Sequence, residues 1–170
     1  MNKLLLALSA SVTLAIGIDL MDHTPEHSQA DEHVEGVEEP EHWEALTKGI
    51  AIETEQQFID LIQNTEDYDA VIVKFYGPWC GHCEQAQYGW NIAVDYAAGE
   101  GQDRIAAAKF PDSVRGEFGI LNKYSVTKFP TIIAFETNED WEQAVVTRST
   151  TKANKKPLKA FFKKFFTSDE

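Results

Sequence analysis

The chain has 170 residues, 43% hydrophobic and 11% aromatic, which is enough apolar material for one domain with a real core. Its formal charge is −13, from 15 Lys and Arg against 28 Asp and Glu. That excess argues against nucleic acid and other polyanions as partners, because phosphate binding needs concentrated Lys and Arg.

Lys3 precedes the apolar run Leu4 to Ile16, and the small residues Ala15 and Gly17 have the spacing a signal peptidase accepts. Residues 1–17 are therefore expected to be a secretory signal peptide cleaved after Gly17. A membrane anchor is the competing reading, but a span needs about 20 apolar residues, and Asp19 and Asp22 arrive too soon. No later stretch is long or apolar enough to span a bilayer, so the mature chain is expected to carry no transmembrane segment and to occupy an oxidising compartment. Residues 18–48 are expected to form an acidic, disordered linker. From Asp19 to Lys48 there are ten acids and one base with few branched aliphatics, too little apolar surface to fold alone. His23, His27, His33 and His42 lie there at irregular spacing with no cysteine among them, which favours a solvated linker over a zinc or copper site, and no metal is expected.

Residues 49–170 are expected to be the folded domain. "ETEQQFIDLIQ" places Phe58, Leu61 and Ile62 on one helical face, and "AVIVKFYG" is the β-branched and aromatic run of a buried central strand. The pattern then predicts a helix toward Ala98, a strand over "RIAAAKF" and a helix over "SVRGEFGILNKY" that stops near Tyr124. "TIIAFE" and "QAVVTRS" follow as an antiparallel hairpin separated by "TNED". At the end, Leu158, Phe161, Phe162, Phe165 and Phe166 share a helical face, Pro157 suits a first turn, and Lys159, Lys163 and Lys164 lie opposite. Covering a sheet explains those aromatics more simply than lying on an anionic membrane.

Cys80 and Cys83, the only two cysteines, sit in "WCGHC" where the central strand gives way to a helix. A C-x-x-C beside a βαβ pattern reads as a redox motif, and zinc would need further ligands that no other cysteine supplies. At a helix amino terminus the Cys80 thiol is lowered from its free value of about 8.5, which makes it the nucleophile. Cys83, one turn further in, is placed to attack a mixed disulfide at Cys80. Between them Gly81 completes the motif, and His82 adds a potential positive charge that stabilises the thiolate and makes the disulfide a stronger oxidant.

"KFYGPWCGHC", Lys74 to Cys83, resembles the active-site segment of the protein disulfide isomerase family, and "YSVTKFPTI", Tyr124 to Ile132, resembles that family's cis-proline segment. The resemblance, over about residues 50 to 166, implies an α/β, thioredoxin-like fold: a central mixed β-sheet flanked by helices, as a single domain. It implies a cis peptide bond before Pro130, with Phe129 and Pro130 forming a ledge for substrate peptide and Trp79 shaping the same face. Lys109 matches a position where the family often has a lysine near the buried end of the redox pair. Three residues depart from the pattern: Lys74 replaces the usual buried acid, Tyr88 a helix-kinking proline, and Glu84 a common lysine. Lys74 and Lys109 are thus the candidates for tuning proton transfer at Cys83.

The function this implies is thiol–disulfide exchange during oxidative folding, without a cofactor. The expected partners are cysteine-containing client proteins of the secretory pathway and a redox partner of unknown identity. The alternative is a thioredoxin-fold chaperone or adaptor with secondary redox activity, suggested by Lys74 and the acidic leader. The expected location is the endoplasmic reticulum lumen, or the outside of the cell, since the chain ends "FFTSDE" without a KDEL-like signal.

Overall fold

The computed structural model describes residues 43–150 and 155–166, so the expected signal peptide, linker residues 18–42 and their four histidines lie outside the described residues. Strand β2 (Ala70–Tyr76) is buried along its whole length, as a continuous apolar run requires when both faces of a sheet are covered. It pairs in parallel with β3 (Ile105–Pro111) and antiparallel with β4 (Thr131–Glu136). The short β1 (Ile50–Ala51) joins β3 in parallel and β5 (Val146–Arg148) joins β4 antiparallel, giving a mixed sheet in the order β1-β3-β2-β4-β5.

The period of two along β2 divides the core. Val71, Val73 and Phe75 pack with Phe58, Ile59 and Ile62 of helix α1 (Glu55–Gln63), which starts at a capping box between Thr54 and Gln57. Ile72, Lys74 and Tyr76 take the opposite face, toward helix α2 (Gly81–Gly99). The buried stripe of α2 is Cys83, Ala86, Gly89, Trp90, Ala93 and Ala97, mostly small side chains that let the helix lie close on the sheet. α2 runs unbroken past Tyr88, the position where a proline would have removed a backbone donor. The amphipathic segment at the end covers α2: Phe162 meets the Trp90 ring edge-on at 5.6 Å. Among the described residues no helix is long and apolar enough to cross a membrane.

Three expectations need correction. The segment 113–124 is not one helix; only Ile120–Lys123, α3, is helical. The buried Glu55 carboxylate accepts the N–H groups of Phe118 at 2.9 Å, Gly119 at 3.2 Å and Ile120 at 2.9 Å, so a side chain from α1 takes the donors a longer helix would have used. Gly119, at φ 58°, occupies the left-handed region where a helix stops at little cost. The C-terminal helix, α4 (Lys155–Lys163), ends before Phe165 and Phe166, which pack against the same cluster from the following turn.

The third correction is at the linker boundary, expected at residue 48. Residues 43–48 pack on the domain: Gln87 donates to the Trp43 carbonyl at 2.9 Å, Asn91 to the Leu46 carbonyl at 2.9 Å, and the Trp90 indole to the Lys48 carbonyl at 2.7 Å. Thr47 is buried. Net charge describes the segment as a whole, whereas this end of it carries an aromatic ring and finds side-chain donors on α2 for its backbone carbonyls.

Candidate active site

β2 delivers the chain into the turn Gly77–Trp79, and α2 begins at once, with Cys80 as its N-cap residue in an extended conformation. The Cys83 N–H donates to the Cys80 carbonyl at 2.8 Å and also reaches the Cys80 sulfur at 3.2 Å, so the first turn of α2 directs a backbone donor at that sulfur. The two cysteines are joined as a disulfide, with Cα atoms 5.2 Å apart. They differ in access: Cys80 is 7% exposed and Cys83 0%. A thiolate at Cys80 would therefore meet an oriented N–H, the positive end of α2 and an incoming reactant, while Cys83 is enclosed by Tyr76, Trp43 and Cys80.

Around the outer sulfur, Trp79, Cys80, Gly81, His82, Thr127, Lys128 and Phe129 line an open depression of about 450 Å³. Gly81 and His82 open α2 on its exposed side, and a Cβ at Gly81 would meet open space. The Phe129–Pro130 peptide bond is cis, and the Phe129 carbonyl oxygen lies 3.6 Å from the Cys80 sulfur. Trp79 is 73% exposed, unlike an aromatic that only fills a core. Its indole N–H donates to Asp112 at 2.9 Å and its ring meets Phe129 edge-on at 5.9 Å, so it stands in a set orientation beside the sulfur.

Lys74 lies behind the inner cysteine. Register places it opposite Lys109 on β3 and Ile132 on β4, and none of its surface reaches solvent. Its ammonium donates to the Cys83 carbonyl at 3.4 Å. Burial first, and the Lys109 charge second, push it down to about 8. Lys109 turns away and donates to the carbonyls of Glu44 at 2.8 Å and Thr47 at 2.9 Å. Burial lowers it too, and the Glu44 charge opposes that shift. Tyr76 is pushed up to about 12 by burial, then by Glu44, whose carboxylate its hydroxyl bonds, and by Asp112.

The candidate residues thus fall into two groups. Trp79, Cys80, Gly81, His82, Phe129 and Pro130 gather at the outer sulfur, whereas Lys74 sits behind the inner one and Lys109 is held off by residues 44–47. Sequence reasoning missed Trp43, Glu44 and Asp112. Trp43 carried one signal, as the single aromatic residue in an acidic stretch. Asp112 carried none, because its role depends on β3 ending beside the Trp79 indole.

Comparison with known proteins agrees with this architecture. The thioredoxin family model matches residues 49–164. Protein disulfide isomerase-like 1-4 of Arabidopsis thaliana is 33% identical over 95 residues, covering 54% of this chain and 14% of the relative. Protein disulfide-isomerase 1 of Caenorhabditis elegans is 33% identical over 95 residues, 56% of this chain and 18% of its own length. The chain thus spans less than a fifth of either relative. Among solved structures, the first thioredoxin domain of mouse protein disulfide-isomerase A4 superposes with a TM-score of 0.53 at 22% identity, covering 71% of this chain and 76% of that one. The match over residues 49–164, the mixed five-stranded sheet and the Cys80–Cys83 pair at the start of α2 lead to one conclusion: the chain belongs to the thioredoxin family.

Proposed function

We propose that the chain is a dithiol–disulfide oxidoreductase of the protein disulfide isomerase type, with Cys80 as nucleophile and Cys83 as resolving thiol. The observation that carries this is the asymmetry of the pair: Cys80 faces the open depression and accepts the Cys83 N–H, while Cys83 is wholly enclosed. In the reducing direction the Cys80 thiolate attacks one sulfur of a client disulfide. That bond breaks, one client sulfur leaves and takes up a proton, and the other is held in a mixed disulfide. Cys83 then attacks the Cys80 sulfur and gives its proton to the second departing client sulfur. The client has gained two electrons, and Cys80 and Cys83 are joined. The reverse sequence makes a client disulfide, and attack by another client thiolate on the mixed disulfide reshuffles bonds with no net transfer.

The remaining residues support these steps. His82, when protonated, adds positive charge on the first turn of α2. Trp79 and the Phe129–Pro130 segment receive the client backbone beside the outer sulfur. The Lys74 ammonium favours a thiolate at Cys83, a role in which its charge replaces proton abstraction by a carboxylate. Clients are cysteine-containing proteins of the secretory pathway, in the endoplasmic reticulum lumen or beyond it. Support for that location is the signal-like residues 1–17, followed by the acidic segment from residue 18, and similarity to protein disulfide isomerases.

Insulin reduction and refolding of a scrambled disulfide substrate test this reading. The wild-type protein is expected to catalyse both and a Cys80→Ser, Cys83→Ser double variant neither. Equal activity of the two would refute the oxidoreductase and leave the chaperone or adaptor reading.

A further inference from the structure

A lysine with no exposed surface needs something to compensate for lost hydration, and its hydrogen bond to the Cys83 carbonyl, at 3.4 Å, is long. The side chains packed about the ammonium supply the compensation. The Trp43 ring lies 5.4 Å from Nζ and the Tyr76 ring 6.0 Å, both within the range at which an aromatic face attracts a cation. The two rings meet edge-on at 5.7 Å, which fixes their relative orientation. Trp43 is anchored in turn, its indole N–H donating to the Pro78 carbonyl at 3.3 Å and its own carbonyl accepting from Gln87 at 2.9 Å.

We infer that Trp43 is a positioning residue of the redox site: with Tyr76 it forms an aromatic cage that keeps the Lys74 ammonium charged behind Cys83. The inference deepens the proposed function and rests on Cys83 as the resolving thiol. It assigns a part in the chemistry to a segment whose composition reads as linker.

The charged groups around the ammonium act in defined directions. Lys109, on β3, disfavours the charge on Lys74. Residues 44–47 hold Lys109 by two carbonyls and pull it from the pair, and the Glu44 carboxylate acts on Lys109 and on the Tyr76 hydroxyl. From α2 the ammonium meets the Cys83 carbonyl, and β4 presents Ile132, which carries no charge. Asp112 acts on the hydroxyl end of Tyr76. The segment from Trp43 to Thr47 thereby does two things at once: one ring stabilises the Lys74 charge, and two carbonyls occupy the ammonium that would repel it.

The test follows the Lys74 titration by NMR of its ε-methylene in the oxidised protein, where no thiol reacts. In wild type the midpoint is expected near or above 8. Trp43→Leu, which keeps apolar cover and removes the ring, should lower it by about one pH unit, and Trp43→Phe should restore most of that shift. Should Trp43→Leu fail to fold, fluorinated tryptophan provides the same test. It keeps the indole shape and weakens the negative face, and should also lower the midpoint. An unchanged midpoint with fluorinated tryptophan, or equal loss in Trp43→Phe and Trp43→Leu, overturns the cage. Failure of wild type to reduce insulin refutes the oxidoreductase instead, and because the titration needs no turnover the two failures are distinguishable.

Discussion

Replacing Lys74 by methionine keeps the stem that fills the space between β2 and α2 and removes the charge. The magnitude follows from the titration. Lys74 falls from 10.5 to about 8 on folding, and each pH unit is worth about 1.4 kcal/mol, so the charged form costs the native state about 3 kcal/mol. The aromatic rings offset about 0.5–2 kcal/mol of this, which leaves a net gain of about 1–3 kcal/mol for Lys74→Met at pH 7. In a domain of this size the gain corresponds to a rise in Tm on the order of 5–10 °C. The sign is that of any group whose folded value lies below its unfolded one. Between about 8 and 10.5 the native state binds fewer protons at Lys74 than the unfolded chain, so wild-type stability rises with pH relative to the variant. The gain is present in full below about 8 and gone above 10.5. Paired denaturant unfolding of the two oxidised proteins, stepped from neutral to alkaline pH, reads the difference directly, and charges common to both cancel. A variant less stable than wild type at pH 7, or a gain of equal size at both ends of the window, would refute the account of Lys74 as a caged buried cation. The same variant is expected to resolve a Cys80 mixed disulfide more slowly than wild type, trading activity for stability.

In the reduced protein Cys80 should alkylate at least tenfold faster than Cys83 at neutral pH, because only the outer sulfur combines access with the α2 terminus; mass-spectrometric peptide mapping reads both rates, and faster labelling of Cys83 would invert the assigned roles. Glu55→Ala removes the acceptor for three backbone N–H groups at once and should cost about 2–4 kcal/mol in denaturant unfolding, with no change in the alkylation rate of whatever protein remains folded. A chain beginning at Gly49 should melt several degrees below one beginning at His42, since it loses Trp43, the buried Thr47 and both carbonyls that hold Lys109; equal melting temperatures would show that residues 43–48 contribute no stability.

Local chemistry made much of the site legible in advance. Two cysteines separated by two residues, at the junction of a continuous apolar run and a helical pattern, specify a sulfur at a helix amino terminus whatever surrounds it, because both the strand and the helix start are short-range features. The period of two along "AVIVKFY" likewise places Lys74 on the same face as Tyr76, and hence toward α2. Long-range partners were not legible. The helix expected over 113–124 fails because Glu55, some sixty positions earlier, claims its N–H groups, a competition no window of neighbouring residues contains. The acidic composition up to Lys48 correctly describes a segment poor in apolar surface, yet composition averages over position and hides that Trp43 has a buried cation to cover. The sequence by itself determined that two thiols and a helix terminus lie within four residues of one another, because the spacing of the cysteines and the start of a helix are local features. Tertiary structure alone decided what surrounds them: Lys74 is buried beside Lys109, Trp43 and Tyr76, brought together from separate parts of the chain, and the energy of a buried charge is set by everything within a few ångströms of it.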